Sequence, residues 1–287
     1  MRPIYDSQCR PARRFVLLAP PHAQPVPFGR LENDAQRHHR LLSDAQRLRG
    51  SIYVRDGALQ PWQLSADGRH IQQADDLSWH LLTVDKDENV TACIRYLAHA
   101  PGVSFRDLMA SRSHLVQSAH LGPSVREAVE AELDCARERG FSYVELGGWA
   151  ICDELRCTTE ALRTLLTVYA LAQLQGGALG LTTATTRHHS SSILRRVGGR
   201  PLLARGAELP SYYDSQYKCE MELLGFDSTS PNPRYVDWIF ECRTALQTVP
   251  VISYKPADAL TSDLLRLSAV VRSDFHPRVR ELAASQA

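Results

Sequence analysis

The sequence predicts an α/β chain built on a mixed sheet, α+β in layout. Two features carry that prediction. Two strand-like runs are joined by a short polar connection, and further along the chain strand-like and helical periods alternate. A helical bundle does not produce the first pattern, and a β-sandwich does not produce the second.

Residues 1–33 are rich in Pro and Arg without a period and read as a poorly ordered arm. From about Asn33 to Gly50, the residues Ala35, His38, Leu41, Leu42, Ala45 and Leu48 recur at helical spacing, and the glycine is the expected stop. Ile52–Val54 ahead of Asp56-Gly57 reads as a strand or turn, followed by an irregular loop through Pro61 and Gly68. Trp79–Val84 and Val90–Tyr96 are strands, and Asp85–Asn89 is the hairpin connection between them. Phe105–Ala110 and Ser124–Arg139 are helical, with Ser124 as N-cap, Glu127 three residues on, and Gly140 as the stop. Tyr143–Cys152 is a strand. Thr158–Gln175 is an amphipathic helix with Leu162, Leu165, Leu166, Tyr169 and Ala172 on one face. A strand over Leu179–Thr185, a short helix over Ser190–Arg196 and a strand over Tyr217–Phe226 follow. Beyond Asp227 a Ser/Thr/Pro/Asn stretch marks a boundary, with helices expected near 234–247 and 257–271. The expected organisation is an arm over 1–33, one domain over 34–226 and a helical C-terminal extension over 227–287.

Composition narrows the function. The 287 residues carry 33 Lys+Arg against 32 Asp+Glu, a net charge of +1, and are 44% hydrophobic. That is enough apolar content for a packed core and excludes global disorder. So close a balance leaves no long-range field to gather a polyanion, which argues against a general nucleic-acid binder. Seven scattered Cys with no C-x-x-C pair read as a reduced, intracellular set. No apolar run approaches the roughly 18 residues of a membrane span. Arg10, Arg13 and Arg14 ahead of Phe15–Ala19 mimic a signal peptide, but the apolar stretch is short and prolines follow, so a cytoplasmic location is expected.

Chemistry concentrates in Glu145–Leu162, where a strand runs into a short loop and a helix starts at Thr158 or Thr159. The first amides of a helix lack intrahelical partners, and its dipole leaves partial positive charge there. A phosphate would dock at this point, with Arg156 adding a full charge. The alternative is that the threonines only cap the helix. The stretch resembles the central motif of the GNAT superfamily of acyltransferases, which reads Arg or Gln, two residues, Gly, one residue, then Gly or Ala, after the fourth strand. Arg156 and Ala161 fall on the two ends of that pattern, and Thr159 replaces the glycine. The resemblance implies a GNAT-like acyl-CoA N-acyltransferase fold. It implies that Arg156, Cys157, Thr158, Thr159, Glu160 and Ala161 hold a phosphopantetheine and that the backbone at Ile151 orients its arm. Thr159 crowds the closest backbone approach, which suits the one phosphate of a carrier-protein donor better than the pyrophosphate of coenzyme A. Arg187–Gly199 resembles the family's fourth helix, with Leu194 where many members place a Tyr acid. Leucine donates no proton, so either another group does or the thiolate, with a pKa of about 8.5, leaves unassisted.

Upstream, Arg49-x-x-x-Tyr53, Asp75-Asp76-Leu-Ser-Trp-His80, the strand ending in Arg95 and Phe105-x-x-Leu108 resemble the acyl-homoserine-lactone synthases and the related N-acyl amino acid synthases. In those families such residues surround the acceptor site. The lactone branch carries an Arg three residues after the strand's Glu, where this chain has Gly148, so the N-acyl amino acid branch fits better. The resemblance implies an acyl carrier protein or acyl-CoA donor and a small amine acceptor. The alternatives are a lactone synthase using S-adenosylmethionine and a catalytically silent binding module of the same fold.

The acceptor's chemistry assigns the remaining candidates. An α-amino group with a pKa of about 8 is already partly neutral at pH 7, so one nearby carboxylate suffices as base. Glu145 is that candidate, sharing a strand face with Tyr143, Trp149 and Ile151; otherwise it partners Arg95 or Arg156. Asp75 and Asp76 bind the acceptor's ammonium or are merely solvated. Arg95 clamps its carboxylate or is a surface residue. His80 faces the cleft or is a satisfied buried histidine. Tyr212-Tyr213 line an acyl groove or form a loop. Cys152, Cys157 and His188-His189 lack zinc-ligand spacing, so no metal is expected. Arg10, Arg13, Arg14, Arg195, Arg196 and Arg200 are candidates for a basic surface facing an acidic carrier.

Overall fold

The computed structural model describes residues 13–21, 23 and 31–254. In chain order come β1 (Arg14–Leu18), β2 (Leu31–Asn33), helix α1 (Ala35–Arg55), β3 (Trp79–Val84) and β4 (Val90–His99). Then follow α2 (His114–Gln117), α3 (Gly122–Glu138), β5 (Ser142–Ile151), α4 (Glu160–Leu174), β6 (Ala178–Thr185) and α5 (Ser190–Val197). The short strands β7 (Arg200–Pro201), β8 (Leu203–Ala204), β9 (Ala207–Glu208) and β10 (Tyr212–Asp214) lead to β11 (Cys219–Asp227), α6 (Val236–Leu246) and β12 (Val251–Ser253). The main sheet runs β10-β11-β6-β5-β4-β3-β1-β12-β2, with β7 also on β11 and β8–β9 a separate hairpin. It is mixed, as expected: the pairs β5–β6, β1–β12 and β12–β2 are parallel, while β1–β3, β3–β4, β4–β5 and β6–β11 are antiparallel.

Three layers result. On one face α4, α5 and α6 pack over Phe15, Leu17, Leu81, Ile94, Val144 and Leu224. On the other, α1 covers Val16, Leu18, Leu82, Val84, Cys93 and Ile252, and α3 covers Tyr143, Leu179, Leu181 and Leu223. The alternation of these sets along each strand is the period-two pattern of a sheet covered on both faces.

The segment expected as a poorly ordered arm holds β1, whose Val16, Leu17 and Leu18 are fully buried between β3 and β12. A strand buried on both faces is uniformly apolar and shows no alternation, so its signal imitates a leader's. The boundary expected after Asp227 is also crossed, because α6 lies on α4 and β12 pairs with β1 inside the main sheet. The helix expected near 257–271 lies outside the described residues, as does Arg10.

Ile52–Val54 is the last turn of α1 rather than a strand. Gly50, the expected stop, is buried in mid-helix, where a Cβ would fall 2.6 Å from the Gly68 carbonyl oxygen. Close approach of the following loop, not chain reversal, requires glycine there. The extra turn puts Tyr53 on the same helix face as Arg49. The helix expected over Phe105–Ala110 is a pair of 3-10 turns, Phe105–Asp107 and Met109–Arg112. Helix α3 begins at Gly122 without a side-chain cap, two residues ahead of the expected Ser124. No basic surface joins Arg14 to Arg195, because β1 and β11 are five strand spacings apart, about 24 Å. Arg14, Arg195 and Arg200 are instead paired with Glu88, Glu222 and Glu132. No helix among the described residues is long and apolar enough to cross a membrane.

Candidate active site

Arg49 on α1, Asp75 in the 3-10 turn before β3, and Arg95 on β4 converge on the α1 face of the sheet. The Asp75 carboxylate accepts from Arg49 Nη1 at 3.1 Å and Nη2 at 2.7 Å, Arg95 Nη1 at 3.2 Å, Gln46 Nε2 at 3.0 Å and the Gln72 amide at 3.0 Å. Burial alone would push its pKa up, but the Arg49 bonds and charge outweigh it and hold the carboxyl well below the usual range. Asp75 is therefore an anion committed to its own chain, with no position left for an acceptor's ammonium. Asp76 beside it is exposed, and its backbone carbonyl accepts the Tyr254 hydroxyl at 3.5 Å.

Arg95 has capacity to spare. Its Nη1 also donates to Gln72 Oε1 at 2.6 Å, but its Nε is buried without a partner. Its Nη2 lies 3.0 Å from where a Cβ at Gly147 would be. His80 is buried and donates Nε2–H to the Asp75 carbonyl at 2.8 Å, and burial drives its pKa down to about 4. His70, against the Tyr53 ring, is likewise driven to about 4 by burial. With both histidines neutral, Arg49 and Arg95 against Asp75 leave one positive charge inside the protein.

Glu145 stands on the same face, on β5 opposite Leu97, while Arg95 pairs with Gly147. Its carboxylate takes His99 Nε2–H at 2.9 Å and the Met109 amide at 2.7 Å on Oε1, and the Ala110 amide at 2.8 Å on Oε2. Its partners are neither Arg95 nor Arg156. Oε2 retains one acceptor position.

Trp149 does not share the Glu145 face as expected. Between the pairs Cys93–Ala150 and Arg95–Gly147 the register slips by one residue, and Gly148 sits at φ 64°. This β-bulge reverses the alternation, so Tyr143 and Glu145 face α3 while Trp149 packs with the core under α4. The Trp149 carbonyl accepts the Tyr53 hydroxyl at 3.4 Å. Cys93 Sγ lies 3.5 Å from the Gly148 carbonyl.

Past the bulge the sheet opens. The β5–β6 ladder ends at Leu146–Thr182, yet β5 continues to Ile151, paired only with β4, and β6 to Thr185, paired only with β11. The β6-facing backbone of Gly147–Ile151 is thus free of strand partners. Beyond Ile151 the chain reaches α4 through Arg156–Thr159. Cys157 is exposed at φ 59°, and Thr158 caps the helix, its Oγ1 accepting the Glu160 amide at 3.2 Å. Thr159 lies at φ −74°, ψ −5°, a conformation that does not need glycine, and its exposed side chain makes no capping bond. The Glu160 side chain turns inward to Arg163 Nη1 at 3.5 Å, and Ala161 continues the helix. Arg156 is engaged by Asp56 Oδ2 at 2.7 Å and Asp153 Oδ1 at 3.3 Å. Leu194 is buried in the core under α5.

Gln46, His70, Gln72, His99 and Tyr217 belong to this surrounding and went unremarked in the sequence. Two were legible: Gln46 lies three residues before Arg49 on a helix, and His99 lies four after Arg95 on a strand, so each shares its neighbour's face. Tyr217, whose pKa burial pushes up, joins the tyrosine and arginine group from a loop before β11, which no local pattern announces.

The sequence matches no protein-family model, and no curated protein is similar to it. Solved structures are. A CoA-dependent acyl-homoserine lactone synthase, BjaI, with SAM and isopentyl-CoA, superposes with a TM-score of 0.51 at 13% identity, over 88% of this chain and 100% of that one. The chain has the acyl-homoserine lactone synthase fold. FeeM, an N-acyl amino acid synthase from uncultured soil microbes, aligns at 0.45 and 12% identity, over 77% of this chain and 93% of that one. An aminoglycoside N(6')acetyltransferase from Legionella pneumophila aligns at 0.35 and 10%, over 75% and 93%. In this synthase fold the parted strands β5 and β6 and the charged cluster lie on either side of the β5 bulge.

Proposed function

We propose that the chain is an N-acyltransferase that moves a fatty acyl group from a phosphopantetheine thioester, on an acyl carrier protein or coenzyme A, to the amine of an amino-acid-like acceptor. The observation that carries this reading is the buried Arg49–Asp75–Arg95 cluster with one positive charge in excess, set beside strands that part. One excess charge, with Arg95 Nε unpartnered, suits one carboxylate.

The donor's pantetheine arm lies between β5 and β6, its amides bonding the free backbone of Gly147–Ile151, and its phosphate lies at the N-terminus of α4. The acceptor's carboxylate sits on Arg95, which Asp75 and Gln72 hold in place. Its neutral amine attacks the thioester carbonyl, and the nitrogen's proton passes to Glu145 Oε2 or to a water on it. The C–S bond then breaks, giving the amide and a thiolate. Leu194 supplies no acid, and the thiolate takes its proton from solvent. No acyl-enzyme is needed, so Cys157 has no step.

Gly148 weighs against the lactone reading, in which S-adenosylmethionine is the acceptor. A Cβ there would fall 2.7 Å from Arg49 Nη1, so the arginine of the lactone branch does not fit without moving Arg49. Mass spectrometry of lipids from cells overproducing the chain should show an N-acyl amino acid. Free fatty acids alone would count against the reading. With purified protein, Arg95→Gln should raise the acceptor's KM at least about tenfold and leave the donor's KM unchanged.

A further inference from the structure

Helix α1 ends on a residue that its own helix disfavours. Asp56 is the C-cap, where unsatisfied carbonyls leave partial negative charge and a carboxylate is repelled. Its carboxylate is held instead by arginines: Oδ1 accepts Arg55 Nε at 3.1 Å and Oδ2 accepts Arg156 Nη2 at 2.7 Å. Its backbone carbonyl accepts Arg187 Nη1 at 3.4 Å, and Arg187 Nη2 is held by the Lys218 carbonyl at 2.6 Å. Burial pulls the Asp56 carboxyl up, but the Arg156 and Arg55 bonds win, so it is an anion at neutral pH.

The positions of these partners matter more than their number. Arg156 follows the end of β5, and Arg187 follows the end of β6, the two strands that part after Leu146 and Thr182. The C-cap residue of α1 thus meets both strand ends at the outer end of the opening, Arg156 through its carboxylate and Arg187 through its carbonyl. Arg55, Arg156 and Arg187 against Asp56 and Asp153 leave one net positive charge; without Asp56 there would be two. A local rule broken at a helix end, and offset by the neighbouring Arg55 together with groups from two distant loops, is the mark of a site rather than of a fold requirement.

We propose that the Asp56 carboxylate is a built-in stand-in for the donor's phosphate: it holds Arg156 at the end of β5, beside Arg187 on the Asp56 backbone carbonyl, and an incoming phosphate displaces it from Arg156. The inference rests on the donor reading above and adds to it. Entry of the donor exchanges a carboxylate for a phosphate on Arg156 and frees the end of α1. A donor without phosphate gains nothing from that exchange. Asp56 therefore lowers the affinity for phosphate-bearing donors and leaves that for phosphate-free ones as it is.

Calorimetry of the full chain with coenzyme A and with pantetheine, which has no phosphate, tests this. Asp56→Asn should bind coenzyme A about tenfold more tightly than the unmodified chain, with pantetheine affinity unchanged. Unchanged or weaker coenzyme A binding by folded Asp56→Asn overturns the proposal and leaves the donor reading standing. Should the variant fail to fold, hydrogen exchange of the unmodified chain decides: coenzyme A should speed exchange at Arg55–Ala58 and pantetheine should not, and slowed or unchanged exchange overturns the proposal. If the unmodified chain binds neither compound, the coenzyme A form of the donor reading falls and takes this inference with it.

Discussion

Five donors converge on the Asp75 carboxylate, three of them from guanidiniums that are themselves buried. Asp75→Asn would leave Arg49 and Arg95 facing each other without an anion, and breaking a buried pair in this way costs about 3–5 kcal/mol. Denaturant unfolding should show that loss; a change under about 1 kcal/mol would mean that water reaches the cluster. Because the folded pKa of Asp75 is depressed, its contribution is complete above the unfolded value and is lost only as pH falls below it, through the still lower folded value. Glu145 poses a different question, since it both fastens the turns at Met109 and Ala110 and keeps an acceptor position. Glu145→Gln should lower kcat by about a hundredfold or more if the carboxylate takes the proton. A fall in melting temperature with kcat intact would make it an anchor alone. The sequence singled out both carboxylates by residue type and place, but not what holds them: Arg49, Arg95, Gln46 and the Gln72 amide around Asp75, and His99 with the Met109 and Ala110 amides around Glu145.

At the scale of the element, the β5 bulge decides which side chains meet. Strict alternation puts Glu145 and Trp149 together; the inserted residue at Gly147-Gly148 sends Trp149 to the α4 side and ends the ladder to β6 nearby. Gly148→Ala meets two obstacles, a φ of 64° and a Cβ 2.7 Å from Arg49 Nη1. It should cost about 1–3 kcal/mol in unfolding and raise the acceptor's KM through Arg49, with the donor's KM unaffected. Two adjacent glycines were the one local hint of a bulge, and glycine pairs serve turns equally well. Helix α1 shows the opposite error: Gly50 looked like a stop because a stop and a close contact ask for the same residue.

For the whole molecule, the two ends of the described chain are built into one sheet. Val251 and Ile252 are buried beside β1, a burial of about 3–6 kcal/mol in all. Ending the chain after Thr248 should lower the melting temperature by about 10–20 °C, followed by circular dichroism. A second global property comes from His38, His70 and His80, whose pKa values burial lowers to about 4. Unfolded, each would titrate near 6.5, so the unfolded chain takes up protons that the native one refuses, and stability falls as pH drops from about 6.5 toward 4. Unfolding at pH 5.5 should show about 4 kcal/mol less stability than at pH 7.5, and His80→Gln should remove roughly a third of that difference.

By itself the sequence determined the mixed-sheet class, the β3–β4 hairpin, the run from β5 through α4, β6 and α5 to β11, and the residue types from which a site would be built. All of these rest on periodicity and termini, which are local. Only the tertiary structure decided that a leader-like apolar run is a central strand, that the tail returns to pair with it, and that Asp75 and Asp56 answer to arginines rather than to ligands directly. Parallel pairing and buried ion pairs join residues far apart in the chain, and their energies depend on what else is excluded from water around them. No window of neighbouring residues holds that information.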